Sequence, residues 1–125
     1  MKQIIFSEKA PKPIGSYSQA VEAGNLIFLS GQIGIDPNTG NIVAGGVAAE
    51  TRQVMDNIRA VLEKANLSLE NIIKTTIFLA NLADFAEVNQ IYAEYFTKDF
   101  PARSTIEVKA LPKGAKIEIE VIAQR

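Results

Sequence analysis

Arg103 lies in the segment Pro101-Ala102-Arg103-Ser104-Thr105, at the mouth of an apolar strand. A guanidinium there presents a planar fork that can grip a carboxylate through two parallel charge-assisted hydrogen bonds, which orient the ligand as well as hold it. An exposed arginine in a weak surface ion pair accounts for the same residues. In Lys116-Ile117-Glu118-Ile119-Glu120-Val121, strand alternation puts Glu118, Glu120 and Ile122 on one face. Two carboxylates beside apolar surface are costly unless paired, so one of them is expected to hold a water or a cation partner. The alternative is a solvated edge strand whose charges deter unwanted pairing.

Two weaker signals accompany these. In Leu29-Ser30-Gly31-Gln32 a small polar residue and a glycine interrupt an apolar strand, which marks a bulge, a close approach of backbone to ligand, or relief of crowding. The polar loop Gly15-Ser16-Tyr17-Ser18-Gln19 carries one aromatic and suits a lid or a plain connection.

Composition narrows the chemistry. The 125 residues include no cysteine and no histidine, which removes thiolate nucleophiles, zinc ribbons, Ser-His-Asp triads and imidazole acid-base catalysis together. Catalysis must fall to carboxylate, arginine, hydroxyl, amine or backbone groups, and neither a metal nor another cofactor is expected. The 13 basic and 14 acidic residues leave a net charge of -1, and no basic stripe interleaved with aromatics occurs. Nucleic acid is therefore not expected as the principal ligand. No apolar run approaches the roughly 20 residues that span a bilayer, and Met1 to Ala10 lacks a secretory core, so a mature, soluble, cytoplasmic protein is expected. Absence of cysteine suits that reducing compartment.

The elements that must position these groups can be read from periodicity. With no repeat or linker, residues 1–125 are read as one domain. Gln3 to Phe6 is a short strand, and an irregular Pro-containing segment leads to Ala20–Ala23. A tight turn at Gly24-Asn25 leads into a strong strand over Leu26–Ile35, and Asp36–Gly40 is a turn. Val47, Thr51, Val54, Met55, Ile58, Val61, Leu62 and Ala65 recur at helical spacing. Ile72–Ala80 is β-branched and apolar on both faces, which suits a central strand. Asp84 is expected to cap a second helix reaching Phe96, and strands at Ser104–Lys109 and Lys116–Ala123 close the chain around a turn at Pro112 and Gly114.

The order βββαβαββ predicts an α+β fold, a mixed six-stranded sheet with two helices on one face. If the helices cover Ile27, Leu29, Ile33, Ile77 and Leu79, the other face presents Phe28, Phe78, Ile122 and the stem of Lys74 with no chain left to shield them. A half-apolar, unpartnered sheet face predicts a closed homo-oligomer.

Taken together, four blocks carry a resemblance. Gly15-Ser16-Tyr17-Ser18-Gln19-Ala20, Ser30-Gly31-Gln32-Ile33-Gly34, Lys74-Thr75-Thr76-Ile77-Phe78, and Phe100-Pro101-Ala102-Arg103-Ser104 through Leu111-Pro112 to Ile117-Glu118-Ile119-Glu120 resemble the signature blocks of the RidA/YjgF family over essentially the whole chain. The resemblance implies the chorismate-mutase-like (YjgF) fold, a homotrimer built on facing sheets, and sites in clefts between subunits. It implies Arg103 as the carboxylate-binding residue and Glu118 as the one that positions or activates water. Tyr17, Ser30, Gly31, Asn89 and the backbone at Thr105 match pocket-lining positions. Thr105 stands where many relatives have cysteine, and Ser16 where many have proline.

The activity implied is hydrolytic deamination of 2-iminobutanoate and 2-iminopropanoate to 2-oxo acids and ammonia, without a cofactor. Some relatives have been described as ribonucleases or translation inhibitors. A non-catalytic trimer that binds 2-oxo acids at the same arginine is the third reading.

Overall fold

Eight elements follow in the expected order in the computed structural model, which describes residues 1–125. They are β1 (Gln3–Ile5), β2 (Ala20–Ala23), β3 (Leu26–Ile33), α1 (Gly46–Lys64), β4 (Ile72–Leu79), α2 (Phe85–Glu94), β5 (Ala102–Glu107) and β6 (Ile117–Gln124). The sheet order is β1-β2-β3-β6-β4-β5. Every pairing is antiparallel except β4 with β5. Two parallel neighbours need a crossover, and α2 supplies it.

Helix α1 forms because its apolar residues repeat every three or four positions, and it buries Val47, Val54, Met55, Ile58, Val61 and Leu62. Beneath it lie Ile27, Leu29, Ile77, Leu79, Ile117, Ile119, Val121 and Ala123, while Val88 and Tyr92 of α2 complete the same core. Both helices thus pack on one face of a mixed six-stranded sheet, as the element order predicts.

The buried stripe of α1 also holds two polar residues. Glu50 Oε1 accepts a hydrogen bond from Lys116 N at 2.8 Å. Asn57 Nδ2 donates to the carbonyls of Ile33 and Ile35 at 3.3 and 3.0 Å. A buried amide or carboxylate is tolerated only when bonded, and here the bonds fix the end of β3 and the start of β6 to the helix.

On the opposite face Phe28 is exposed, and Phe78, Ile122 and Lys74 are half-buried, as expected. Register aligns Ile4, Val21, Phe28, Ile122 and Lys74 in one row across five strands. No other part of the chain packs over that row.

Three expectations need correction. Ile33 does not lie under the helices: it pairs with Glu118 after a register shift, so it shares Glu118's face and joins a small separate cluster with Ile35 and Ala115. The strand itself ends at Ile33, and Ile35 keeps only an isolated bridge to Ile42. Asp84 makes no capping bond with its side chain; Asn81 Oδ1 instead accepts from Ala83 N, and a single 3-10 turn leads into α2.

Candidate active site

The first cluster is organised by a bulge. Leu29 pairs with Val121 but Gln32 pairs with Ile119, so three steps on β3 oppose two on β6, with Ser30 and Gly31 taking up the excess. The loop before β2 is tied to this bulge: Ser30 Oγ donates to Ser18 O at 2.6 Å and Ser30 N donates to Gln19 O at 2.9 Å. Gln19 is wholly buried; its Oε1 accepts from Ser7 N at 2.6 Å, and its Nε2 donates to Ser7 O at 3.0 Å and Pro11 O at 2.9 Å. Ile14 N donates to the Tyr17 hydroxyl at 3.1 Å. The result is a cleft walled by Lys12, Ile14, Tyr17, Gly31, Pro112 and Glu118.

Glu118 supplies the carboxylate of this cleft. Its side chain runs directly over Gly31, where a β-carbon would fall 2.7 Å from Cδ and 2.9 Å from Cγ. Only a residue without a side chain leaves that space, so the glycine serves the carboxylate as well as the bulge. Burial pushes the Glu118 carboxyl above the ordinary carboxylate value, and the charge of Glu120 on the same face adds to the rise. A carboxylate that is costly to keep ionised is a stronger base than a solvated one.

The second cluster lies at the sheet's far edge. Arg103 Nη1 donates to Asn89 Oδ1 of α2 at 2.8 Å. The guanidinium carbon sits 5.1 Å from the Tyr92 ring centroid and 5.5 Å from that of Phe85. Tyr92 is itself anchored by a 2.9 Å hydrogen bond between its hydroxyl and that of Thr75. The chain's ion pairs employ Arg52, Arg59 and Arg125, so Arg103 meets no carboxylate. That disposes of the surface-ion-pair account and leaves a positioned guanidinium with donors to spare for an anion. Thr105 shares the same face of β5, and its Oγ1 is buried without a hydrogen-bond partner.

One chain therefore divides the predicted constellation. Tyr17, Gly31 and Glu118 line the first cleft, while Ser30 sits in the bulge with its hydroxyl bonded to Ser18 O; Arg103 and Asn89 meet in the second, with Thr105 beside them on β5. Arg103 is level with Thr75 and Val121, whose side chains face the helices, whereas Glu118 is level with Phe78 on the open face. Two strand spacings and three residues separate the two groups, about 14 Å on opposite faces. Arg103 and Glu118 do not meet within a protomer.

Sequence reasoning passed over Lys12, Glu50 and Asn57, and it placed Gln19 in a polar loop without its buried anchoring role. Glu50 and Asn57 were detectable, because both fall on the helical stripe through Val54 and Val61. No group of three or more His, Cys, Asp or Glu side chains converges as a metal site.

The family model described as endoribonuclease L-PSP matches residues 7–125. The crystal structure of the YjgF gene product from E. coli superposes with a TM-score of 0.94 at 50% identity, covering 98% of each chain. The chain belongs to the RidA/YjgF family. Among RidA/YjgF relatives, the human protein named 2-iminobutanoate/2-iminopropanoate deaminase is 48% identical over 98% of this chain and 90% of its own length. A RutC family protein of Pyrococcus horikoshii is 55% identical over 100% of this chain and 99% of its own. The mixed sheet with two helices is thus the RidA/YjgF fold. No helix is long and apolar enough to cross a membrane.

Proposed function

We propose that this protein is a cofactor-independent hydrolase of reactive imines, converting 2-iminobutanoate and 2-iminopropanoate to the 2-oxo acids and ammonia. The observation that carries this reading is Arg103: a guanidinium held by Asn89 and two aromatic rings, with no carboxylate of its own. Both substrates offer a carboxylate next to the electrophilic carbon. The name of the human relative supports the same chemistry.

The two clefts are complementary half-sites. We assign the open face, with its row from Ile4 to Lys74, to contacts between copies in a homotrimer. Arg103, Asn89 and Thr105 of one protomer then complete a site with Tyr17, Ser30, Gly31 and Glu118 of its neighbour. Arg103 grips the substrate carboxylate, and Glu118 orients a water and takes its proton as the oxygen bonds to the imine carbon. That proton passes to nitrogen to give the carbinolamine; Glu118 then carries the new hydroxyl's proton to the amino group, the C–N bond breaks as the C=O bond forms, ammonia departs and the 2-oxo acid remains. Backbone groups near Gly31 and Thr105 hold the nitrogen during transfer. The spontaneous reaction is already fast, so positioning and one base suffice.

Coupling a threonine dehydratase to the protein and following imine decay, at a pH where the spontaneous rate is known, tests the activity. Acceleration is expected. Tight 2-oxobutanoate binding with no acceleration would reduce the protein to a binding trimer. The family model's description names an endoribonuclease; a chain with 13 basic and 14 acidic residues offers no phosphate-tracking stripe, and RNA affinity without a steep salt slope is the expected result.

A further inference from the structure

We propose that the Glu118 cleft also accepts 2-imino dicarboxylic acids of four or five carbons, and that Lys12 pairs with their second carboxylate. The inference rests on the imine-hydrolase reading above and deepens it to a substrate class. Its ground is an exposed lysine on a pinned stretch of the cleft wall, paired with no carboxylate.

Lys12 lies between Pro11 and Pro13, whose rings each fix φ near -65°. The backbone is pinned on both sides: Pro11 O accepts from the buried Gln19 amide at 2.9 Å, and Ile14 N donates to the Tyr17 hydroxyl at 3.1 Å. The strap is therefore a defined wall, and Lys12 stands on it where it lines the same cleft as Glu118. No carboxylate neutralises it. The three ion pairs of the chain involve other cations. Glu8 borders the adjoining groove with Lys12 but lies outside ion-pair distance.

With the α-carboxylate on the neighbour's Arg103 and the imine carbon at Glu118, the substrate side chain extends toward the strap. Ile14 and Tyr17 suit a methyl or ethyl group. An acidic side chain would be repelled there by Glu118 unless a cation met it, and Lys12 is that cation. The reaction is unchanged: water adds to C2, ammonia leaves, and a 2-oxo diacid is released.

The stable products serve as probes. The affinities of oxaloacetate, 2-oxoglutarate and 2-oxobutanoate are compared on the full-length wild type, Lys12→Gln, Lys12→Glu and Arg103→Ala. The preference for the diacids over 2-oxobutanoate should fall about threefold in Lys12→Gln, the scale of an exposed pair, and further in Lys12→Glu. High salt should shrink the difference between variants. An identical preference in wild type and both Lys12 variants, with 2-oxobutanoate still dependent on Arg103, overturns this inference and leaves the imine-hydrolase reading standing. If Arg103→Ala binds 2-oxobutanoate as wild type does, the reading beneath it falls as well.

Discussion

The Glu118 side chain lies against the α-carbon of Gly31, so close that a β-carbon at residue 31 would be 2.7 Å from its carboxyl carbon. The obstructing atoms belong to the end of a side chain that can swing away. Gly31→Ala should therefore fold with a small loss of stability while moving the carboxylate by about an ångström, a displacement on the scale of a 100-fold loss in rate. Gly34→Ala is the contrast: its β-carbon would meet the Glu50 backbone, Cα at 2.9 Å and O at 3.0 Å. Backbone cannot swing aside, so that variant should lose about 1–3 kcal/mol of stability by overpacking. Thermal melts alongside imine-decay rates on both variants check the distinction.

Burial and Glu120 both favour the protonated form of Glu118 in the folded chain. If ionised Glu118 is the base, catalytic acceleration should fall on acidification at a pH above the ordinary carboxylate range. Stability carries the opposite sign. The native state binds a proton more tightly than the unfolded state, so stability declines as pH rises from the unfolded value through the folded one. Glu118→Gln should accordingly melt higher than wild type at neutral pH and lose that advantage below the carboxylate range, while abolishing acceleration. A pH series of melts and rates measures both limbs.

Arg103 is held by a hydrogen bond to Asn89 and by two ring faces, so its role depends on shape as well as charge. Arg103→Ala should cost about 2–5 kcal/mol in 2-oxobutanoate binding with the fold retained. Arg103→Lys should restore little of it, because an ammonium offers no planar fork. Asn89→Ala leaves the charge but frees its orientation, and a loss of about 1 kcal/mol is expected. Calorimetric titration of the three variants separates the contributions; retention of wild-type affinity by Arg103→Ala would remove the carboxylate grip from the mechanism.

Much of this architecture was readable in advance because it is periodic. The repeat from Val47 to Ala65 gave α1, the β-branched run from Ile72 gave β4, and the alternation from Lys116 gave β6 with its carboxylates on the open face. The glycine in Leu29-Ser30-Gly31-Gln32 signalled a bulge, yet its consequence escaped. One extra residue inverts the alternation, which sends Ile33 to the face of Glu118. Gln19, Glu50 and Asn57 look like surface residues by type, and only the third dimension supplies the backbone groups that justify burying them. The separation of Arg103 from Glu118 was invisible for the same reason: it follows from strand order and parity, which neither segment encodes alone.

That separation makes the shared-site assembly directly testable. Arg103→Ala and Glu118→Gln each remove one half-site, so each homotrimer alone should be inactive. In a trimer mixing the two, one of the three junctions joins an intact Glu118 to an intact Arg103 from the neighbour. Random co-assembly makes three-quarters of the trimers mixed, and about a quarter of the wild-type rate should return. Co-expression with two different affinity tags and purification through both isolates the mixed species, for which the expectation rises to about a third. Recovery cannot arise within a protomer, because each chain lacks one of the two groups. Persistent inactivity of doubly tagged, correctly sized trimers would place both residues in the same subunit's site or outside the chemistry altogether.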